Sequence, residues 1–171
     1  YDLDDIMFKP KRSELNTRKD VDLFRTFKGR WNKDLEFRCI PVVCANMDNI
    51  ATWAMMQAMN SNGMTIAMSK FIPFSEWNKY LKSAQLEMYP FFYTIGINDN
   101  LVYTTFFKLN KYNPHIFNKL VIDVPNGYST RFLEFVKRCR EQWPDIFIVA
   151  GNVVSAEQTE ELILNGADML K

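Results

Sequence analysis

Residues able to hold a polar ligand stand directly behind a series of short apolar runs. Asn46 and Asp48 follow the first run, Ser69 and Lys70 the second, and Asn98 and Asp99 the third. Asp123 and Asn126 close the fourth, and Asn152 follows the fifth. Three of these carry the strongest chemical signal. Asp123 lies between Ile122 and Val124, where a lone carboxylate is costly unless paired or hydrogen-bonded. Lys70 is the cation beside the second run, suited to partner that carboxylate or to hold an anionic ligand. Asn152 follows Gly151, whose missing side chain lets a ligand come close to the backbone.

Other chemically conspicuous residues read as structural. Asn49, Asn98 and Asp99 suit helix caps. His115 follows Pro114 in a polar connection and reads as an exposed loop residue. Met55, Met56 and Met59, with Trp53, recur at helical spacing and read as packing. Cys44 falls inside an apolar run and reads as an inert thiol, because a reactive cysteine needs an electropositive, accessible setting.

The elements that must position the polar set repeat a simple rhythm of apolar run, polar corner and amphipathic stretch. The runs are Ile40–Cys44, Met64–Met68, Phe91–Ile97, Leu120–Val124 and Ile146–Ala150, with a sixth at Ala167–Leu170. Their nearly unbroken hydrophobicity fits strands buried on both faces, as parallel sheets require. Between them, Arg131–Arg140 puts Phe132, Phe135, Val136 and Cys139 on one helical face. Ser155 with Gln158 is a helix start, and Asn165-Gly166 a helix stop. Asp99 and Ser75 can open two further helices. Before the first unit, Val21–Phe27 and Leu35–Ile40 flank a turn-rich stretch with Gly29, Asn32 and Asp34, the pattern of a hairpin.

Strand and helix alternating at this spacing make right-handed βαβ units. An open doubly wound sheet would carry a Gly-rich phosphate loop after its first strand, whereas here the first run leads into Ala45–Asn49 without a glycine. The expected fold is therefore α/β: an incomplete (β/α)8 barrel of about five βα units plus a sixth strand, preceded by a β-hairpin, in one domain over residues 1–171. In such a barrel the polar set collects on the rim where chemistry is done.

Composition narrows the class. Apolar residues make up 47% and charged residues 24% of the 171, as in ordinary globular domains. A net charge of +1 supplies no basic field for nucleic acid or an anionic membrane. Lys9, Lys11 and Arg12 sit near Asp4 and Asp5, so that cluster reads as a solvated start. No apolar run approaches the roughly 20 residues that cross a bilayer, and no signal peptide opens the chain. Three cysteines without CxxC spacing argue against a disulfide framework or zinc site and for a reducing, cytoplasmic compartment. Tyr1 is not a methionine and Lys171 falls within a strand pattern, so both ends read as cut from a longer chain.

Several segments in register resemble the GMP reductase family, which belongs with IMP dehydrogenase. They are KPKRS at Lys9–Ser13, ANMD at Ala45–Asp48, DVPNGYS at Asp123–Ser129, AGNVVS at Ala150–Ser155 and EELILNGAD at Glu160–Asp168. The resemblance is weakest between Tyr80 and Lys119. The Asn-Gly-Tyr-Ser ending of the fourth run, and the absence of a regulatory insert, favour the reductase over the dehydrogenase. The resemblance implies a TIM barrel, assembling as a homotetramer, that converts GMP to IMP and ammonia with NADPH. It implies a cysteine nucleophile on the loop after the sixth strand, which forms a covalent adduct that hydride then resolves. Thr17, Arg18, Lys70, Asp123, Val124 and Pro125 match cofactor-binding positions, Thr17 and Arg18 reaching a neighbouring subunit's cofactor. Met47 and Asn152 match positions lining the nucleotide pocket.

The chain departs from the family pattern in places. Ser69 and Phe71 flank Lys70 where histidines are usual, Pro125 replaces an alanine, and Asn49 a threonine. None of Cys39, Cys44 and Cys139 matches the nucleophile, so the chain alone is expected to be inactive and to need the remaining part of the barrel. Two other readings stand beside this one: an IMP dehydrogenase-like oxidoreductase, and a non-catalytic truncated barrel that joins intact subunits.

Overall fold

The computed structural model describes residues 2–82 and 90–171. An antiparallel hairpin comes first, β1 (Arg25–Lys28) against β2 (Glu36–Cys39), in the register Arg25↔Cys39 to Lys28↔Glu36. Then β3 (Val43–Cys44), β4 (Thr65–Ile66), β5 (Tyr93–Ile95), β6 (Lys119–Asp123), β7 (Phe147–Gly151) and β8 (Met169–Leu170) follow. β3 pairs with β4, and β5 to β8 pair in sequence, all parallel. A single parallel bridge, Ala67↔Phe92, carries the order across from β4 to β5. After β3 to β7 come α1 (Trp53–Ser61), α2 (Phe74–Lys82), α3 (Asn100–Tyr112), α4 (Thr130–Gln142) and α5 (Ala156–Leu164). The expected five βα units and sixth strand are present as a partial parallel sheet that does not close.

Local chemistry sets the helix starts. Thr52, Asp99, Ser129 and Ser155 each accept a backbone N–H with their side chains at the N-termini of α1, α3, α4 and α5. Ser75 does not open α2. The helix begins at Phe74, and the Pro73 carbonyl accepts from Trp77 N at 3.3 Å. Proline has no N–H to leave unsatisfied, which suits it to that position.

Alternation along the strands makes two apolar layers. Tyr93, Ile95, Leu120, Ile122, Ile148 and Ala150 face the helices and meet Phe106, Phe132, Val136 and Leu162. Ala67, Phe92, Val121, Phe147 and Val149 face the opposite way, into the concave side. The hairpin plugs that side: Phe37 stands edge-on to Phe92 at 5.7 Å and to Phe147 at 5.2 Å. Its turn is tight, since a Cβ on Gly29 would lie 2.4 Å from the Asn32 carbonyl oxygen.

A buried ion pair locks this plug to the sheet. Arg140 of α4 donates to Asp168 Oδ2 at 2.6 Å, with the Asp168 side chain fully buried. Arg140 also donates to the carbonyls of Gly166, Trp143, Pro144 and Ile146. Asp168 accepts in turn from Arg30 N at 2.6 Å and Trp31 N at 3.2 Å in the hairpin turn, and from Ile148 N at 2.8 Å in β7. Gly166 is required beneath the arginine: its φ is +126°, and a Cβ there would sit 2.6 Å from Arg140 Cβ. Replacing Asp168 with Ala leaves a guanidinium and three backbone N–H groups without their acceptor. The expected loss of unfolding free energy is about 3–5 kcal/mol, read by denaturant titration.

Lys119 is the cation on the concave side. It is 9% exposed, its Nζ donates to Asn118 Oδ1 at 2.7 Å, and it lies 5.6 Å from the Phe37 ring centroid. Burial pushes the ammonium down from 10.5 to about 8. Between those values the unfolded chain binds more protons than the folded one, so stability rises with pH across that window. Lys119→Met is expected to flatten this rise and to add about 1–3 kcal/mol at neutral pH. Paired thermal melts of wild type and variant from neutral to alkaline pH check both.

Candidate functional site

The carboxyl ends of the parallel strands bring Lys70, Asn98, Asp123, Val124, Pro125 and Asn126 around one cleft of about 300 Å³. Lys70 follows β4, and a Cβ on Gly96 would come within 3.6 Å of its Nζ, so glycine there leaves the ammonium room beside β5. The same Nζ lies 5.1 Å from the Phe71 ring centroid. Val124 is buried and Pro125 exposed, so one wall of the cleft is anchored and its lip is open. Asn126 Oδ1 accepts from Tyr128 N at 2.9 Å, which fixes the loop that carries it.

Asp123 is held by a different partner from the one expected. Its ion pair is with Lys171, directly after β8, and Asn46 Nδ2 donates to its other oxygen at 3.1 Å. Lys171 also donates to Asn46 Oδ1 at 3.4 Å. These three residues join the ends of β3, β6 and β8, so the sheet curls until its first and last parallel strands stand within one side chain of each other. Lys70 and Asp123 share the cleft without being an ion pair. Lys171 was missed in the sequence because its run is the last one, yet the signal matched that of Lys70: a lysine immediately behind an apolar run.

Other residues of the expected set stand outside this cleft, and most have partners within the chain. Asn152 is exposed, and its Nδ2 donates to the Val124 carbonyl at 3.1 Å, tying the β6 and β7 loops together outside the Lys70 cleft. The close approach that Gly151 permits is taken by the chain itself, since a Cβ there would lie 2.3 Å from the Lys171 carbonyl oxygen. Ser69 donates to Asp48 Oδ1 at 2.9 Å and accepts from Phe71 N at 3.2 Å, so this pair shapes the β4 loop. Met47 is 58% exposed on the turn after β3, outside the cleft. Thr17 and Arg18 lie in the exposed leading segment, where Thr17 and Asp20 form a reciprocal cap on a single turn at Arg18–Asp20. That turn does not join the cleft-lining set.

Of the three residues read as caps, Asn49 and Asn98 cap no helix, because Thr52 and Asp99 hold the N-cap positions of α1 and α3. Asp99 accepts from Leu101 N and Val102 N, both at 3.1 Å, as a cap does. Met56 is buried, and Trp53 stacks on Tyr80 at 3.8 Å. His115 is exposed. Cys39 and Cys139 are buried and Cys44 half-buried. Burial raises the thiols of Cys39 and Cys44 and pushes Cys139 up to about 12, so none is poised as a thiolate.

Parallel strands, each leading into a helix, with polar groups gathered on the carboxyl rim, define an α/β protein of the barrel type. Residues 100–171 match the model of the IMP dehydrogenase / GMP reductase domain. GMP reductase of Enterobacter sp. (strain 638) is 40% identical over 171 residues, covering 98% of this chain and 48% of that protein. GMP reductase of Caenorhabditis elegans is 37% identical over 172 residues, covering 99% and 47%. The crystal structure of inosine 5′ monophosphate dehydrogenase from Legionella pneumophila superposes with a TM-score of 0.77 at 24% identity, over 98% of this chain and 48% of that one. The chain is thus similar to the IMP dehydrogenase / GMP reductase family, and it spans about half the length of the curated relatives it matches. Among the described residues, no helix is long and apolar enough to cross a membrane.

The backbone packing at the rim yields a direct test. Gly151→Ala drives a Cβ against the Lys171 carbonyl, displaces the end of β8 and separates Lys171 from Asp123. The expected cost is about 1–3 kcal/mol, from chemical denaturation, with shifted amide resonances at Asp123 and Asn46.

Proposed function

We propose that this chain is the part of an NADPH-dependent GMP reductase that holds the cofactor's reactive end, in an enzyme converting GMP to IMP and ammonia. The observation that carries the proposal is the shared cleft of Lys70, Asp123, Val124 and Pro125 at the strand ends. The GMP reductases that match nearly the whole chain support it. In the full assembly, a cytoplasmic homotetramer, Thr17 and Arg18 extend to a neighbouring subunit's cofactor. Met47 and Asn152 border the purine nucleotide.

The residues present fit a dinucleotide. Lys70 offers a cation beside the side-chain-free strip at Gly96, and Asn98 and Asn126 place amide side chains at the same cleft. Asp123, fixed by Asn46 and Lys171, presents acceptor oxygens in one orientation. Pro125 has no N–H, so binding at that position uses its ring and carbonyl alone. The cofactor when bound supplies hydride, while these side chains orient it and exclude water. Cys39, Cys44 and Cys139 all lie outside the cleft, so the covalent step takes its nucleophile from elsewhere in the complete barrel, and these residues bind without turning over.

The test supplies the chain with the later strands of the barrel, fused or as a second polypeptide. It then follows nicotinamide absorbance with GMP plus NADPH and with IMP plus NAD. Oxidation of NADPH dependent on GMP is expected; reduction of NAD dependent on IMP alone would assign the dehydrogenase reaction instead. Lys70→Ala removes a charged hydrogen-bond donor and is expected to raise the KM for NADPH about tenfold or more. Unchanged cofactor kinetics would reject its role.

A further inference from the structure

We infer that the hairpin is a pH-sensitive latch: its turn lifts from the concave side while the parallel sheet stays intact, and protonation of Lys119 beneath it sets how often it lifts. Among the described residues β1 and β2 pair only with each other, so the hairpin can come away without breaking a backbone ladder. One end of it is held. The Ile40 amide, just past β2, donates to the Gly63 carbonyl at 2.7 Å, and Cys39 beside it is buried. The turn end is attached through side chains. Leu35 and Phe37 pack on the concave apolar layer, the Arg30 and Trp31 amides donate to Asp168 Oδ1, and Asn32 Nδ2 donates to the Asp145 carbonyl at 3.0 Å. When the turn leaves, Asp168 keeps Arg140 and the Ile148 amide, which both belong to the sheet side.

Lys119 lies under this cover. It stands in register with Phe147 of β7, the Phe37 ring is 5.6 Å from its Nζ, and Asn118 Oδ1 is the one acceptor it has among the described residues. An ammonium has three N–H donors, so one acceptor and a ring replace its hydration poorly. The carboxylates around the hairpin are engaged elsewhere. Glu36 pairs with Lys28 at 3.3 Å and Asp22 with Arg38 at 3.0 Å, on largely exposed side chains, while Asp168 and Asp145 both act on Arg140. Of the remaining titratable groups, Arg25 turns to the Asp22 and Phe24 carbonyls, Lys33 and Asp34 lie exposed in the turn, and burial keeps the Cys39 thiol protonated. Burial thus holds Lys119 near 8 with the hairpin closed, and lifting returns it to water and to its ordinary 10.5. Below about 8 both states carry the proton and the closed one bears the cost of a buried charge. Between the two values the open state binds more protons, so closure strengthens as pH rises.

Amide hydrogen exchange of the 171-residue chain from pH 7 to pH 9, corrected for intrinsic rates, tests this. The Arg30 and Trp31 amides report lifting, because their acceptor lies across the interface; those of the central strand β6 report unfolding of the sheet. Protection at Arg30 and Trp31 is expected to be at least about tenfold below that of β6 and to rise about tenfold over this range. Lys119→Met should remove the rise. Lys119→Arg, charged throughout, should hold protection at or below the wild-type value at pH 7. Protection at the turn equal to that of β6 would overturn the inference, since the hairpin would then open only with the whole fold. Lower but pH-independent protection in wild type, or a rise that survives in Lys119→Met, would overturn it as well by removing Lys119 from control.

Discussion

Arg140 and Asp168 do for this chain what continuous hydrogen bonding does for a longer sheet. A guanidinium with every donor satisfied meets a carboxylate with both oxygens occupied, in the one place where the hairpin turn, α4, β7 and the approach to β8 converge. Burial of such a pair is unfavourable until the last hydrogen bond is made, so it tolerates one arrangement of the four elements. The hairpin also meets the sheet through aromatic edges at Phe37, and Asn32 Nδ2 in its turn donates to the Asp145 carbonyl at 3.0 Å. Specificity at this end comes from the ion pair and the hydrogen bonds around it, and adhesion from rings.

The two ends of the sheet thus divide the labour. The end bearing Asp168, Lys119 and Phe37 is closed and largely dry, while the end bearing Lys70, Asp123 and Lys171 is open and polar. Charges at the closed end serve packing; at the open end Asp123 and Lys171 pair with each other, and Lys70 lines the cleft. This polarity follows from parallel pairing, which sends every strand's carboxyl terminus to the same rim.

Much of this was legible in the residues. Unbroken apolar runs gave the parallel strands, and Asp99 and Ser155 marked two helix starts because capping is a local interaction. The rim set was legible because strand ends are local too. Partnerships were not. Nothing near Asp123 in sequence indicates that Lys171 rather than Lys70 would reach it, since that depends on how far the sheet curls. Arg140 reads as one more charge on a solvated helix face, and only the turn at Gly166, brought beneath it by tertiary packing, gives it a buried role. Gly151 makes room in either case, but which group fills that room is set by the path of β8.

The loops behind β6, β7 and β8 touch through bare backbone. A Cβ on Gly127 would lie 2.2 Å from the Asn152 carbonyl oxygen, and one on Gly151 2.3 Å from that of Lys171, while Val124, Asn152 and Val153 hydrogen-bond across the same seam. Contacts without side chains have no rotamers with which to absorb a change. These three corners therefore drift through mutation only in concert. Novelty in this part of the molecule is left to the outer helices, whose exposed faces can change one residue at a time.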